Sequence, residues 1–206
     1  MTYTIIAKAT DSAGNENSAQ DSFMYDETPP TVSFDPNSQP WTKSDVTVTI
    51  SANDGTGSGV ANIYYVIKGK DDTCPSVGDS SYTKYTDSVT ISNEGEWKIC
   101  AYAEDNAGNT PQSASESGTY QIDKTVPQVS IDDIPDYVNS LTQISGTASD
   151  SGSGVSKVEV LIIDNTDNKY WDGSTWADTE PSDWLDATGT TSVSYTHLTL
   201  PTTERV

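Results

Sequence analysis

A segment near the start of the chain recurs in its middle, and this recurrence constrains the fold more than any other feature. Residues 3–15, YTIIAKATDSAGN, match residues 97–109, WKICAYAEDNAGN, without a gap. Residues 25–34, YDETPPTVSF, match residues 122–131, IDKTVPQVSI. A period of roughly one hundred residues is that of whole domains in tandem, because solenoid and propeller units repeat every 20–50 residues. The 206 residues therefore read as one complete module and two partial ones. Residues 1–27 are expected to be the closing hairpin of a preceding module, 28–124 the complete module, and 125–192 a truncated third. Met1 falls inside a strand of the repeat, so the chain reads as a piece of a longer protein.

Within the repeat the apolar residues alternate. Val46, Val48, Ile50 and Ala52 are separated by Thr and Ser, the period of two of a half-buried strand. Tyr3, Ile5, Ala7 and Ala9 share one face of a strand over 3–10, followed by another over 21–25; an isolated hairpin of this kind is marginal in water. The complete module is expected to hold strands at 32–34, 46–52, 63–67, 82–85, 88–92, 97–104 and 119–122. The third is expected to hold strands at 129–131, 141–148 and 158–163, and to stop before its last two. Short strands separated by polar turns, with no helical periodicity, predict an all-β chain of antiparallel sandwiches. Leu, Ile, Val and Phe supply only roughly a sixth of the chain, close to the composition of disordered segments. Eleven Tyr and five Trp, set in the alternating runs, fill a thin core in their place.

Charge narrows the partners. Thirty-one Asp and Glu stand against 10 Lys and Arg, a net charge of −21. Nucleic acid needs basic residues to neutralise phosphate, so it is disfavoured, and anionic membranes with it. No run of apolar residues is long enough for a membrane span. The plainest role for the acidic surface is to keep molecules apart by repulsion; a more specific one is to collect divalent cations.

Three motifs recur in register: the turn DSAGN (11–15) and DNAGN (105–109), the linker DETPP (26–30) and DKTVP (123–127), and the turn DGTGSGV (54–60) and DSGSGV (150–155). Together they resemble bacterial immunoglobulin-like (Big-type) tandem repeats of large secreted or surface-attached proteins, adhesins among them. The resemblance covers residues 1–192. It implies tandem immunoglobulin-like β-sandwiches, an extracellular or cell-surface location, a structural spacer role in an adhesin-like rod, and calcium that stiffens the module junctions. It also implies partners: neighbouring modules of the same chain, and a host or surface receptor engaged through another part of the protein. The alternative role is an accessory ligand- or carbohydrate-binding module of a secreted hydrolase. Catalysis has no support, since no Ser–His or Cys–His arrangement is present once His197 is set aside. That histidine lies in VSYTHLTLPT (193–202), which resembles a translated sequencing adapter, so residues 193–206 are left out of the fold.

Three sets of residues are candidates for function. In a seven-strand sandwich the turn after the second strand and the turn after the sixth lie at one pole, where the linker from the preceding module also arrives. This places Asp26 near Asp54 and Asp105, and at the next junction Asp123 near Asp150. Three carboxylates from three segments suit Ca²⁺, which takes six to eight oxygens in a flexible shell; alternatively each aspartate caps its own turn. Cys74 and Cys100 are expected to form a disulfide, contributing roughly 3–4 kcal/mol and pointing to an oxidising compartment; two unpaired thiols are the alternative. By alternation Cys100 points away from the face of Trp97, Ile99, Ala101 and Ala103, onto the outer surface. Finally, Tyr170, Trp171, Trp176 and Trp184 form an aromatic run. Exposed, these rings could stack on sugars; buried, they would cover the open side of their own sandwich.

Overall fold

The computed structural model describes residues 1–138, 140–189 and 192–195, the last four as backbone. The chain is all-β, with no helix among the described residues. Among those residues no helix is therefore long and apolar enough to cross a membrane. It divides into two compact units, Met1–Lys124 and the residues from Thr125 on.

Unit 1 begins with a two-stranded hairpin, β1 (Thr2–Thr10) and β2 (Glu16–Met24), in continuous antiparallel register from Thr2↔Met24 to Thr10↔Glu16. Nine strands follow: β3 (Thr31–Asp35), β4 (Gln39–Thr42), β5 (Val46–Asn53), β6 (Val60–Gly69), β7 (Thr83–Lys84), β8 (Val89–Ile91), β9 (Gly95–Asp105), β10 (Ser115–Glu116) and β11 (Tyr120–Ile122). They form two sheets, β3-β5-β8 and β4-β11-β9-β6-β7, with β10 also paired to β9. This is the two-sheet order of an immunoglobulin-type sandwich. All pairings are antiparallel except β4 with β11, which is parallel.

The alternation in the sequence explains the core. Val46, Val48 and Ile50 point from β5 into the space between the sheets, where Val89, Ile91, Ile99, Ala101, Tyr120 and Ile122 meet them. Each fully buried aliphatic side chain there is worth about 1.5–3 kcal/mol. Tyrosines do supply what aliphatics lack. Tyr120 is fully buried and donates its hydroxyl to the Pro36 carbonyl at 2.8 Å. The Tyr85 hydroxyl accepts the Ile50 N–H at 3.1 Å. Burial pushes the Tyr120 phenol above its ordinary pKa, so it stays protonated to make that bond.

Two features of unit 1 differ from expectation. Strand β4 has no alternating pattern and contains Pro40, which cannot donate to a ladder; it survives because it lies at a sheet edge. Cys100 does point away from the core between the sheets, but not onto open surface. It is fully buried. The segment after β6 folds over it, joined by the Cys74–Cys100 disulfide, and Tyr82 packs edge-on against Tyr102, which stacks on Tyr64 with ring centroids 5.0 Å apart. The outer face of β9 thus has a small second core that alternation alone could not reveal.

Unit 2 contains β12 (Gln128–Ile131), β13 (Ile144–Ser149), β14 (Glu159–Val160), β15 (Ile163–Asp164), β16 (Lys169–Trp171), β17 (Trp176–Ala177), β18 (Leu185–Asp186) and β19 (Ser192–Tyr195). These form the sheets β12-β13-β19, β14-β18 and β15-β16-β17. The strand expected over 158–163 is broken into β14 and β15, which pair with different neighbours. In unit 1 the corresponding β6 is held along its length by β9, from Val60↔Asp105 to Gly69↔Trp97. Among the described residues unit 2 has no counterpart of β9, so nothing keeps the segment straight. Residues 192–195 pair with β13 as β8 pairs with β5, although 193–195 fall in the stretch left out of the fold on sequence grounds. The rest of that stretch, His197 included, lies outside the described residues.

Candidate metal centre

Chain direction brings three aspartates together at one pole of unit 1. Strand β5 runs toward that pole and ends in the turn that holds Asp54. Strand β9 returns to it antiparallel to β6, and its last residue is Asp105, opposite Val60. The linker carrying Asp26 enters there because β3 starts opposite the end of β5, Thr31 against Asn53. One carboxylate oxygen from each of Asp26, Asp54 and Asp105 lies within 4.8 Å of the others, and Asp105 is buried.

The backbone organises these groups. Asp105 Oδ1 accepts the N–H of Ala107 at 2.9 Å and of Asn109 at 2.8 Å, and Oδ2 accepts Asn109 Nδ2 at 2.8 Å. Asn109 Nδ2 also reaches the Asp26 carbonyl at 3.0 Å, tying the linker to the turn. Asp26 Oδ2 accepts the Ser58 N–H at 2.6 Å and Oδ1 the Thr28 N–H at 3.1 Å. These two bonds, Ser58 foremost, hold the Asp26 carboxyl below the usual aspartate range, so it is ionised. Asp54 Oδ2 accepts the Gly59 N–H at 2.6 Å. Asp54 Oδ1 is buried with no hydrogen-bond partner among the described residues. Nor, among those residues, does a lysine or arginine form an ion pair with any of the three.

Close packing of like charges is unfavourable, about 1 kcal/mol per pair at 4 Å even at the dielectric of water and more when screened from it. The site is shaped around the carboxylates nonetheless. A Cβ at Gly57 would sit 2.5 Å from Asp54 Oδ2 and 2.6 Å from Asp26 Oδ2, so only glycine leaves them room. Beside the cluster a cleft of about 730 Å³, bordered by Tyr3, Tyr25, Thr28 and the turn after β5, gives access from solvent. Carboxylate oxygens from three segments, one of them buried without a partner, are the kind of donor that a hard divalent cation takes.

The remaining expected residues fall elsewhere. Asp123 follows β11, whose last residue pairs with Gly95 at the opposite pole of unit 1. In unit 2 Asp150 caps its own turn, with Oδ1 accepting the N–H of Gly152 at 3.0 Å and of Gly154 at 2.8 Å. Cys74 and Cys100 are bonded, with Cα atoms 5.7 Å apart. The tryptophans do not form a flat platform. Trp171 is 1 % exposed and meets Trp176 at 61° between ring planes, while Trp184 is 45 % exposed. Trp171 therefore covers its own unit and cannot stack on a sugar. Sequence reasoning missed Asn109 and Gly57; the repeated AGN of one turn was the available signal for the first, and the repeated GSGV of the other for the second.

No protein-family model matches the chain, and no curated protein matches it.

Proposed function

We propose that this chain is a spacer segment of an adhesin-like rod of a bacterial extracellular or cell-surface protein, stiffened where the hairpin joins the sandwich by calcium held at Asp26, Asp54 and Asp105. The reading is mechanical and non-catalytic. What carries it is the Asp54 Oδ1 atom, buried among carboxylates with no donor among the described residues to satisfy it. A cation there would bind a linker residue and two turn residues at once, converting a flexible entry into a fixed one. The disulfide supports export, because such bonds persist in oxidising compartments. Neighbouring modules of the same chain are then the immediate partners, with a receptor engaged elsewhere in the protein. The competing reading, an accessory carbohydrate-binding module of a secreted hydrolase, needs several exposed coplanar rings, and Trp171 is withdrawn from that role.

Thermal unfolding with and without calcium tests the proposal. Extracellular sites bind in the range of about 10⁻⁴–10⁻³ M, and ligand at 100 times Kd stabilises by about 2.7 kcal/mol. Calcium should therefore raise the melting temperature of unit 1 by several degrees, and chelator should reverse it. Asp54→Asn and Gly57→Ala should both remove the response, the first by deleting a charge and the second by displacing two carboxylates. An unchanged melting temperature at saturating calcium defeats the proposal.

A further inference from the structure

Cys100 lies on β9 opposite Val66 of β6 and Glu116 of β10. Its side chain has no accessible surface, although it points away from the core between the sheets. What covers it is the segment between β6 and β7. That segment carries Cys74, which is half-buried, and it enters no ladder. It is a series of local turns instead. The Asp79 N–H donates to the Ser76 carbonyl at 3.0 Å, the Ser81 N–H to Asp79 Oδ1 at 2.8 Å, and the Tyr82 hydroxyl to the Pro75 carbonyl at 2.9 Å. Tyr82 then rests edge-on against Tyr102, with ring centroids 4.9 Å apart.

The two sulfurs of one bond therefore face unequal surroundings. Thiol–disulfide exchange begins when an outside thiolate reaches one of the sulfurs, so access decides which is attacked. Cys100 offers no surface to such a nucleophile, and in the folded chain attack falls on Cys74. The bond that breaks leaves its electron pair on Cys100, inside the covered layer. A charged sulfur is costly to hold in such a place. The nearest charges along that face, Lys98 and Glu116, are already bonded to each other at 2.8 Å. Cys100 also stays beside Cys74, because the β6–β9 ladder and the turns keep the two Cα atoms near their bonded separation of 5.7 Å. Its return attack is unimolecular, at an effective concentration above the millimolar values of a short flexible tether.

We propose that Cys74 is a thiol-exchange site of the folded chain, which takes a small thiol as a mixed disulfide and loses it again to Cys100. In the forward step the thiolate of the small thiol attacks Cys74 Sγ. A bond forms between those two sulfurs, the Cys74–Cys100 bond breaks, and Cys100 takes up the proton that the small thiol gave up. One disulfide replaces another, so nothing is oxidised or reduced overall. In the return step the Cys100 thiolate attacks Cys74 Sγ, restores the original bond and expels the small thiolate, which regains the proton. Net reduction needs a second thiol before Cys100 returns. That thiol attacks the sulfur of the bound small thiol, leaves Cys74 as a thiol and departs as the small disulfide. A monothiol supplies it only by a further collision, whereas a dithiol carries it already tethered. The bond thus withstands monothiols and yields to dithiols.

Peptide mass mapping of the 206-residue chain after acid quenching tests the proposal, with glutathione at about 1 mM as the monothiol. Chains caught open should carry glutathione on Cys74 and a free thiol at Cys100. They should number fewer than about one in ten, because the return outruns a second millimolar collision. Dithiothreitol at the same concentration should open every chain. It should do so about tenfold or more slowly in native buffer than in urea that unfolds unit 1, since one sulfur alone is in reach. Cys100→Ala removes the resolving thiol, and glutathione supplied as its disulfide should then stay on Cys74 after the small thiols are washed out. Glutathione found on Cys100 as often as on Cys74 overturns the proposal. So does a bond that glutathione opens as fully as dithiothreitol does, and so do equal rates of reduction in native buffer and in urea.

Discussion

Asp105 shows how one side chain can be explained twice. Its hydrogen bonds to the Ala107 and Asn109 amides recur in the Asp11 turn, which belongs to no cluster of three such carboxylates among the described residues. Capping is thus a property of the repeated turn itself, and the metal reading rests on what capping leaves over at Asp54. Asp26 differs, because its carboxyl bonds to Ser58 across a long stretch of sequence and fastens the linker. Those bonds favour the ionised form and depress the folded-state pKa. The associated stability is then fully present above the ordinary aspartate value of about 3.9 and is lost as pH falls through the lower folded value. The melting temperature of unit 1 should be flat from about pH 7 to pH 5 and decline below about pH 4, where the unfolded chain takes up protons first. Asp11 is depressed in the same way by Asn15, so the comparison that isolates Asp26 is with Asp26→Asn. That variant should lose less stability on acidification than the parent; an equal loss would mean the Ser58 bond contributes nothing.

Among elements, the segment between β6 and β7 owes its place to covalent and aromatic contacts rather than to a ladder. The disulfide closes a loop across a sequence separation of 26 residues, which corresponds to about 3–4 kcal/mol of lost chain entropy in the unfolded state. Reduction should lower the unfolding free energy of unit 1 by that amount, a fall of about 1–4 M in the urea midpoint at about 1–3 kcal/mol/M, and expose Tyr82 and Tyr102, seen as a change in tyrosine fluorescence and near-ultraviolet dichroism. A midpoint unchanged by reductant would show that the Tyr64–Tyr102–Tyr82 stack holds the loop without the bond. Legibility from sequence follows the same division. Strand β5 was legible because one face is buried and the other is not, which writes a period of two into Val46–Ile50, whereas β9 buries both faces over Ile99–Ala103 and was legible through its length and its match to the repeat. The pairing of Cys74 with Cys100 was legible from count alone, but the burial of Cys100 was not, since it depends on a loop without pattern. Strand β4 left no signal because Pro40 and a parallel edge pairing demand no alternation. The aspartate cluster was legible only through topology: residues as distant as Asp26 and Asp105 meet because strand direction sends their segments to one pole, and no local motif records that.

For the molecule as a whole, the two units face unequal prospects. Among the described residues the fully buried apolar side chains lie in unit 1, with the exceptions of Ala148 and Trp171. Unit 1 has in addition the disulfide and two sheets closed on each other, whereas the sheet β12-β13-β19 leaves Val129 and Ile131 in water. Failing to bury two such side chains forgoes about 1.5–3 kcal/mol each. At about 4–8 °C per kcal/mol for a domain of this size, unit 2 should unfold at least about 10 °C below unit 1. Calorimetry of a dilute sample should then resolve two transitions, the lower indifferent to reductant and to calcium and the upper lowered by the first and raised by the second. Amide exchange should assign them, with Gly146–Ala148 of β13 exchanging well before Val48–Ile50 of β5, because local protection tracks the free energy of opening. One cooperative transition that shifts as a whole with reductant would show instead that the two units unfold together.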